Sequence, residues 1–133
     1  MTRADYEAYA AAFNRKDYDA VADFYEDPPN LTFFGVHLRS REELKRFYSF
    51  LHSYVKESVV INRLAASDEL VAVDAIVRVE AFRDLDAATL AANGCAGFFP
   101  IAAGTVQEMR QFIHYQVKDG KFTGVECVLV PSA

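Results

Sequence analysis

The chain has 133 residues, of which 52% are hydrophobic and 14% aromatic, enough for one domain with a substantial core. Its 19 acidic residues outnumber the 14 basic ones and leave a formal charge of −5. Because this charge repels phosphate backbones and anionic membranes, neither nucleic acid nor a membrane is expected as a partner. Two widely separated cysteines, Cys95 and Cys127, and a start without an apolar signal core favour reduced thiols in a cytoplasmic protein.

Three helices are predicted in the first half of the chain. Residues 2–5 offer a capping box, and the apolar positions 6, 9, 10 and 13 repeat with helical spacing as far as Asn14. Asp17 can cap a second, shorter helix whose apolar positions are 18, 21, 22 and 25. Ser40 opens a further capping box, and an apolar stripe from Leu44 to position 54 or 55 predicts the third helix.

Strands dominate the second half of the chain. A short strand is predicted over residues 31–34, and longer strands over 58–64, 70–82, 105–118 and 122–130, with Asp119-Gly120 in a tight hairpin turn. Strands joined by hairpins form an antiparallel sheet, and the helices must then cover its apolar face. The predicted architecture is therefore α+β with the order α-α-β-α-β-β-β-β, and residues 1–133 are expected to form one domain because no repeat or linker interrupts them.

An uncharged segment spans residues 87–106. Asn93, Pro100 and three glycines interrupt it, so a membrane span is excluded. A long apolar segment of this kind is expected to pack over the mouth of a pocket or against a second subunit.

Several stretches resemble the SnoaL-like branch of the nuclear transport factor 2-like superfamily. They are YAAAFNRKDYDAVADFYED at 9–27, LRSREELKRFY at 38–48 and DGKFTGVE at 119–126, and the likeness extends over nearly the whole chain. The resemblance implies a cone in which helices wrap a curved sheet around an apolar cavity, with a small, largely apolar organic ligand inside. It also implies homodimerisation through the outer face of the sheet. The superfamily includes isomerases, dehydratases, cyclases, epoxide hydrolases and members without catalysis, so the resemblance alone selects no reaction.

Tyr9 is the first candidate site residue. Its context, AYAAAFNRKDYD, is similar to the first helix of ketosteroid isomerases in this superfamily, whose tyrosine binds an oxyanion. A buried phenol can donate a hydrogen bond to a developing enolate oxygen. The alternative is that Tyr9 is a core aromatic on the apolar stripe of its helix.

Asp74, Arg78 and Glu80 form a second candidate group. The stretch RVEAFRDL at 78–85 is similar to the strand of limonene epoxide hydrolases that carries an arginine and an aspartate beside the substrate. Strand alternation puts all three residues on one face, where an arginine beside a carboxylate could activate water or protonate a leaving oxygen. In the alternative interpretation, Arg78 and Glu80 form an ion pair on a solvated or dimer face, while Val73, Val77 and Val79 face the core.

His114 is the candidate histidine, because dehydratases and cyclases of the superfamily use a histidine on the sheet as acid or base. It shares a strand face with Arg110 and Phe112, opposite Met109 and Ile113, so it lines the pocket only if its own face is the inner one. The alternative is a surface or interface histidine. Apolar residues on both faces of this hairpin also predict a homodimer.

No spacing typical of metal ligands or of phosphate-binding loops occurs, so neither a cofactor nor a metal is expected. Two hypotheses remain open. One is a cofactor-independent acid/base enzyme of the isomerase, dehydratase, cyclase or epoxide hydrolase type, which acts on a small apolar substrate. The other is a non-catalytic domain that binds a hydrophobic ligand or serves as a dimerising partner.

Overall fold

The computed structural model describes residues 1–131. In chain order its elements are α1 (Arg3–Asn14), α2 (Tyr18–Asp23), β1 (Leu31–Phe33), β2 (Val36–Leu38), α3 (Arg41–Leu51), β3 (Val55–Ala66), β4 (Leu70–Ala81), α4 (Ala87–Ala92), β5 (Val106–Lys118) and β6 (Lys121–Leu129). The predicted α+β cone is confirmed. None of the helices described in residues 1–131 is long and apolar enough to cross a membrane.

The helices begin where the capping residues predict. The Thr2 side chain accepts from the backbone amide of Asp5, whose carboxylate accepts from the Thr2 amide in return. Asp17 and Ser40 likewise accept from backbone amides in the first turns of α2 and α3. Each side chain satisfies an amide that the helix itself cannot pair, which fixes the first residue of the helix.

The main sheet has four antiparallel strands in the order β3-β4-β5-β6, and β1 pairs only with β2. Asp119 and Gly120 both have positive φ angles, which suits the predicted two-residue turn between β5 and β6. A register shift between Ile61 and Arg63 marks a bulge in β3.

The sheet has one apolar face and one mixed face. Along β4 the alternate residues from Val71 to Ala81 are buried beneath the helices, and along β5 the inner residues include Ile113 and Tyr115. The outer face is partly apolar as well, since Val60, Phe112 and Val128 are exposed on it. The core therefore lies between the inner face and the helices.

The structure adds two elements that the sequence pattern did not indicate, β2 and α4. It also begins β3 at Val55, although the apolar stripe of α3 continues with helical spacing to position 54 or 55. Pairing of Val55 with Ala81 of β4 takes this residue into the sheet, because a buried ladder of strand hydrogen bonds outweighs a weak local helical preference.

Candidate functional site

A cavity of about 110 Å³ lies between the inner face of the sheet and the helices. Its lining is mostly aromatic and aliphatic, and eleven of its residues are Phe or Tyr: Tyr6, Tyr9, Phe13, Tyr25, Phe33, Phe34, Phe47, Tyr48, Phe98, Phe99 and Tyr115. An engineered cavity of about 150 Å³ is enough to bind benzene. The space as it stands is smaller than that, so it suits a ligand of about six or seven non-hydrogen atoms at most.

The uncharged segment contributes directly to this lining through Phe98, Phe99 and Ile101. The rings of Phe98 and Phe99 stack with centroids 4.7 Å apart, and the ring of Phe34 packs edge-on against both. The backbone at Gly35 lies against the backbone at Gly97, because a Cβ built on Gly35 would lie 3.0 Å from the Cα of Gly97. Glycine is needed at position 35, where the lack of a side chain lets the segments that carry Phe34 and Phe98-Phe99 pack together on one side of the cavity.

Hydroxyl groups are supplied to the cavity by paired tyrosines. The Tyr6 hydroxyl donates to that of Tyr115 at 3.1 Å, and the hydroxyls of Tyr9 and Tyr25 lie 2.8 Å apart. Burial raises the pKa of Tyr6 to about 12, and it holds the pKa values of Tyr9, Tyr25 and Tyr115 well above the usual range. These phenols are therefore protonated at neutral pH. Each pair uses one O–H internally and leaves a second for a ligand.

Glu57 brings a carboxylate to the cavity wall from the start of β3. Its Oε1 lies 2.9 Å from Nε2 of His52, the residue that directly follows α3, and Nδ1 of His52 lies 2.7 Å from the Tyr18 hydroxyl. An ionised carboxylate only accepts, so Nε2 carries the hydrogen of that bond, and the Tyr18 hydroxyl, which also lies 3.4 Å from the backbone oxygen of Tyr48, bonds to Nδ1 on the other side of the ring. Burial, and next the charge of Glu57, raise the pKa of Tyr18, which keeps this hydroxyl a donor. The result is a carboxylate held in place by an oriented imidazole.

Gln111 is the other strongly polar group on the wall. It lies on the inner face of β5 and is only 4% exposed, and within residues 1–131 its side-chain amide makes no hydrogen bond. A buried amide without a protein partner must bond to water or to a ligand in the cavity.

Of the sequence-predicted site residues, Tyr9 lines the cavity. Arg78 and Glu80 are not among the residues that line it. Alternation along β4 turns Val77 and Val79 inward and leaves both charged residues on the outer face. There the Arg78 guanidinium bonds to Glu80 at 3.0 Å, which is the ion pair of the alternative interpretation.

Asp74 also lies on the outer face, among basic groups. The guanidinium of Arg110 binds both of its carboxylate oxygens, at 3.0 and 2.8 Å, and Arg63 and Asn62 complete the cluster. The hydrogen bonds from Arg110 are the main cause that holds the pKa of Asp74 well below its usual range. A carboxylate paired in this way is an ion-pair partner and is unsuited to act as a base on a ligand inside the cone.

His114 is exposed on the outer face of β5, where it pairs in register with Glu126 of β6. The two faces of this strand divide as the alternation predicts, and the inner one is the face that carries Met109, Ile113 and Tyr115. His114 therefore lies on the surface, as its alternative interpretation expects. An outer-face groove also contains His114, together with Asp74 and Phe112.

The residues that sequence reasoning missed are Glu57, His52 and Gln111. His52 lies on the polar side of α3 by periodicity, but its side chain is only 4% exposed because Phe13 and Tyr48 pack on its ring. The signal available in the sequence was a histidine at a helix end followed five residues later by a glutamate in a β-prone run. Gln111 could have been found as the polar residue between Met109 and Ile113 on one strand face.

Comparison with known protein families identifies the family of this chain. The sequence profile of the SnoaL-like domain matches residues 6–125. The chain belongs to the SnoaL-like domain family. No curated protein matches the sequence closely enough to count as a relative.

Solved structures share the fold at low identity. A proposed polyketide cyclase from Xanthomonas campestris pv. campestris is 21% identical with a TM-score of 0.73, over 93% of this chain and 86% of that one. An LEH-like epoxide hydrolase from M. tuberculosis is 16% identical with a TM-score of 0.67, over 95% and 80%. A protein from Catenulispora acidiphila with a ketosteroid isomerase-like fold, solved with trimethylamine, is 11% identical with a TM-score of 0.71, over 96% and 86%. At such identities the likeness concerns the fold.

Proposed function

We propose that the cavity binds a small, largely apolar organic compound and that Glu57 acts on it as a general base in a cofactor-independent reaction. The observation that carries the proposal is the Glu57 carboxylate on the wall of an aromatic cavity, bonded through Oε1 to His52. An oriented carboxylate in water-poor surroundings is suited to abstract a proton from carbon or from a bound water. The epoxide hydrolase and cyclase among the solved structures of the same fold are consistent with chemistry of this type.

The phenols provide the complementary group. When Glu57 Oε2 takes a proton from a carbon next to a carbonyl, the electron pair of the broken C–H bond forms a C=C bond, and the π pair of the carbonyl moves onto its oxygen. A protonated tyrosine hydroxyl that donates to this oxygen stabilises the negative charge as it develops. Tyr9 is the proposed donor, because its hydroxyl belongs to a buried pair with Tyr25 on the wall. Gln111 is proposed to orient a polar group of the substrate.

The test is turnover of small enones, epoxides and hydroxylated aromatics by the wild type and by Glu57→Gln. We expect Glu57→Gln to lower kcat by about 10²- to 10⁴-fold, the usual contribution of a general base, while ligand binding survives. Glu80→Gln is the matched control, because Glu80 lies on the outer face and is expected to leave turnover unchanged.

Two other outcomes would contradict the proposal. Equal turnover by Glu57→Gln and the wild type removes Glu57 from the mechanism. If the wild type binds compounds of the panel and converts none of them, the non-catalytic binding domain is the correct hypothesis.

Homodimerisation through the outer face of the sheet is part of the proposal. Exposed apolar residues on that face, among them Phe112 and Val128, support it, since water contact with them is unfavourable. Charged residues of both signs lie beside them, including Arg110 and Glu126, so the face is able to complement a second copy of itself. A reducing, cytoplasmic location is also proposed, because Cys95 and Cys127 are both free thiols.

A further inference from the structure

Within residues 1–131, the cavity wall carries a negatively charged side chain and no basic one. Glu57 is the single charged side chain among the described residues that line the cavity, and none of them is Lys, Arg or His. A bound ligand replaces the water that solvates this carboxylate. Burial of a carboxylate oxygen that has no partner is costly, whereas a positive charge on the ligand would compensate it.

The protein itself compensates Glu57 only in part. His52 bonds to Oε1, and no bond to Oε2 is formed among residues 1–131. Lys16, in the turn between α1 and α2, donates to the backbone carbonyl of Glu57 and makes no ion pair with its carboxylate within residues 1–131. Tyr18 approaches from the His52 side, and its raised pKa keeps it neutral. Oε2 is thus the acceptor left for a ligand.

Aromatic rings stand beside this acceptor. Phe13 and Tyr48 both line the cavity, and both pack on the imidazole that holds Glu57, with centroid distances of 5.8 and 5.6 Å to the His52 ring. Their own centroids are 5.3 Å apart, at an interplanar angle of 89°. The faces of aromatic rings carry partial negative charge and attract ammonium groups, most strongly where water is excluded.

We propose that the ligand of this cavity carries a positively charged nitrogen, as a small alkylammonium compound whose cation lies between Glu57 and the rings of Phe13 and Tyr48. This inference rests on the proposed function, because it assigns the chemical class of the ligand in the same cavity. A cationic nitrogen also makes adjacent C–H bonds more acidic, which is compatible with Glu57 as a base.

Two cations and their neutral carbon isosteres test the inference by calorimetry or by NMR titration. Choline is compared with 3,3-dimethylbutan-1-ol, and ethyltrimethylammonium with 2,2-dimethylbutane, so that each pair differs only in charge and neither ammonium nitrogen carries a proton to lose. We expect the cation of at least one pair to bind about tenfold more tightly than its isostere, as cation–π attraction and pairing with a carboxylate imply. Glu57→Gln should reduce that ratio to about twofold or less, while Glu80→Gln keeps it.

Other results separate this inference from the proposed function. If the neutral compounds bind as tightly as the cations, or if only neutral compounds bind, the ammonium assignment is overturned and the cavity remains a site for apolar ligands. If neither the cations nor any neutral compound of the panel binds, the inference and the proposed function both fail. A cation preference that Glu57→Gln does not change also overturns the inference, because the attraction then has another source.

Discussion

Nε2 of His52 lies 2.9 Å from Oε1 of Glu57, and this hydrogen bond joins the residue after the last turn of α3 to the first residues of β3. The helix places the imidazole and the strand places the carboxylate, so the pair forms only when α3 packs over the start of the sheet. Tyr18 of α2 closes the group from the other side. Three separate elements thus determine the orientation of one cavity carboxylate.

Tyr18→Phe tests this arrangement. The substitution removes the hydroxyl that lies 2.7 Å from Nδ1 of His52, and we expect the free energy of unfolding to fall by about 1 kcal/mol, the usual net value of one hydrogen bond. Urea denaturation measures the change. Tyr54→Phe is the control, since the Tyr54 hydroxyl makes no hydrogen bond within residues 1–131. In a turnover assay, a positioning role for Tyr18 lowers kcat with little change in KM; an effect on stability alone would show that its role is structural.

Alkaline pH should unfold the protein cooperatively. Burial raises the pKa of Tyr6 to about 12 and holds those of Tyr9, Tyr25 and Tyr115 well above the usual value near 10. Above about pH 10 the unfolded chain loses these protons and the folded chain keeps them, so their contribution is complete below pH 10 and is lost as the pH rises. Each group removes up to about 1.4 kcal/mol per pH unit in that range.

Tyrosinate absorbance and circular dichroism, followed together from pH 9 to 12, measure this effect. The absorbance of the buried tyrosines is expected to rise in the same transition in which the circular dichroism signal is lost. Complete ionisation of the tyrosines in a protein that is still folded at pH 11 would contradict the burial argument.

The contact between Gly35 and Gly97 predicts an asymmetric pair of variants. Gly35 and Gly94 both have positive φ angles, of 77° and 72°, but an added Cβ meets the Gly97 backbone at Gly35 and no atom within 4 Å at Gly94. Gly94→Ala should therefore cost only the left-handed backbone penalty, about 1 kcal/mol. Gly35→Ala should cost measurably more and should weaken ligand binding, because Phe34 and Phe98 must move apart. Thermal or chemical denaturation compares the two, and equal losses of stability would show that the contact is unimportant.

The dimer proposal predicts that a charge at the centre of the outer face separates the subunits. Phe112 is 42% exposed and pairs in register with the exposed Val128. Phe112→Glu should convert a dimer of the wild type into a monomer at micromolar concentration, as measured by light scattering after size exclusion. Ala88→Glu adds the same charge on α4, away from the sheet, and should leave the dimer intact. A monomeric wild type would refute the proposal directly.

Local sequence was enough to predict much of the fold. The caps at Thr2, Asp17 and Ser40 and the turn at Asp119-Gly120 depend on residues a few positions apart, and all are confirmed. The same is true of alternation along β4 and β5, which correctly divided each strand into two faces. Hydrogen-bonding side chains and strand periodicity act over distances that a short stretch of sequence contains.

Local patterns along the chain thus predict the α+β class, the capped helices and the two faces of each strand. The packing of the helices onto the sheet is needed to show which face points into the cone: Arg78, Glu80, Asp74 and His114 lie outside it, and Tyr9 lies inside. This packing also brings Glu57, His52 and Tyr18 together from a strand, a helix end and a second helix. Periodicity describes a single element, whereas the inner face and the site depend on how separate elements pack to remove the largest apolar area from water.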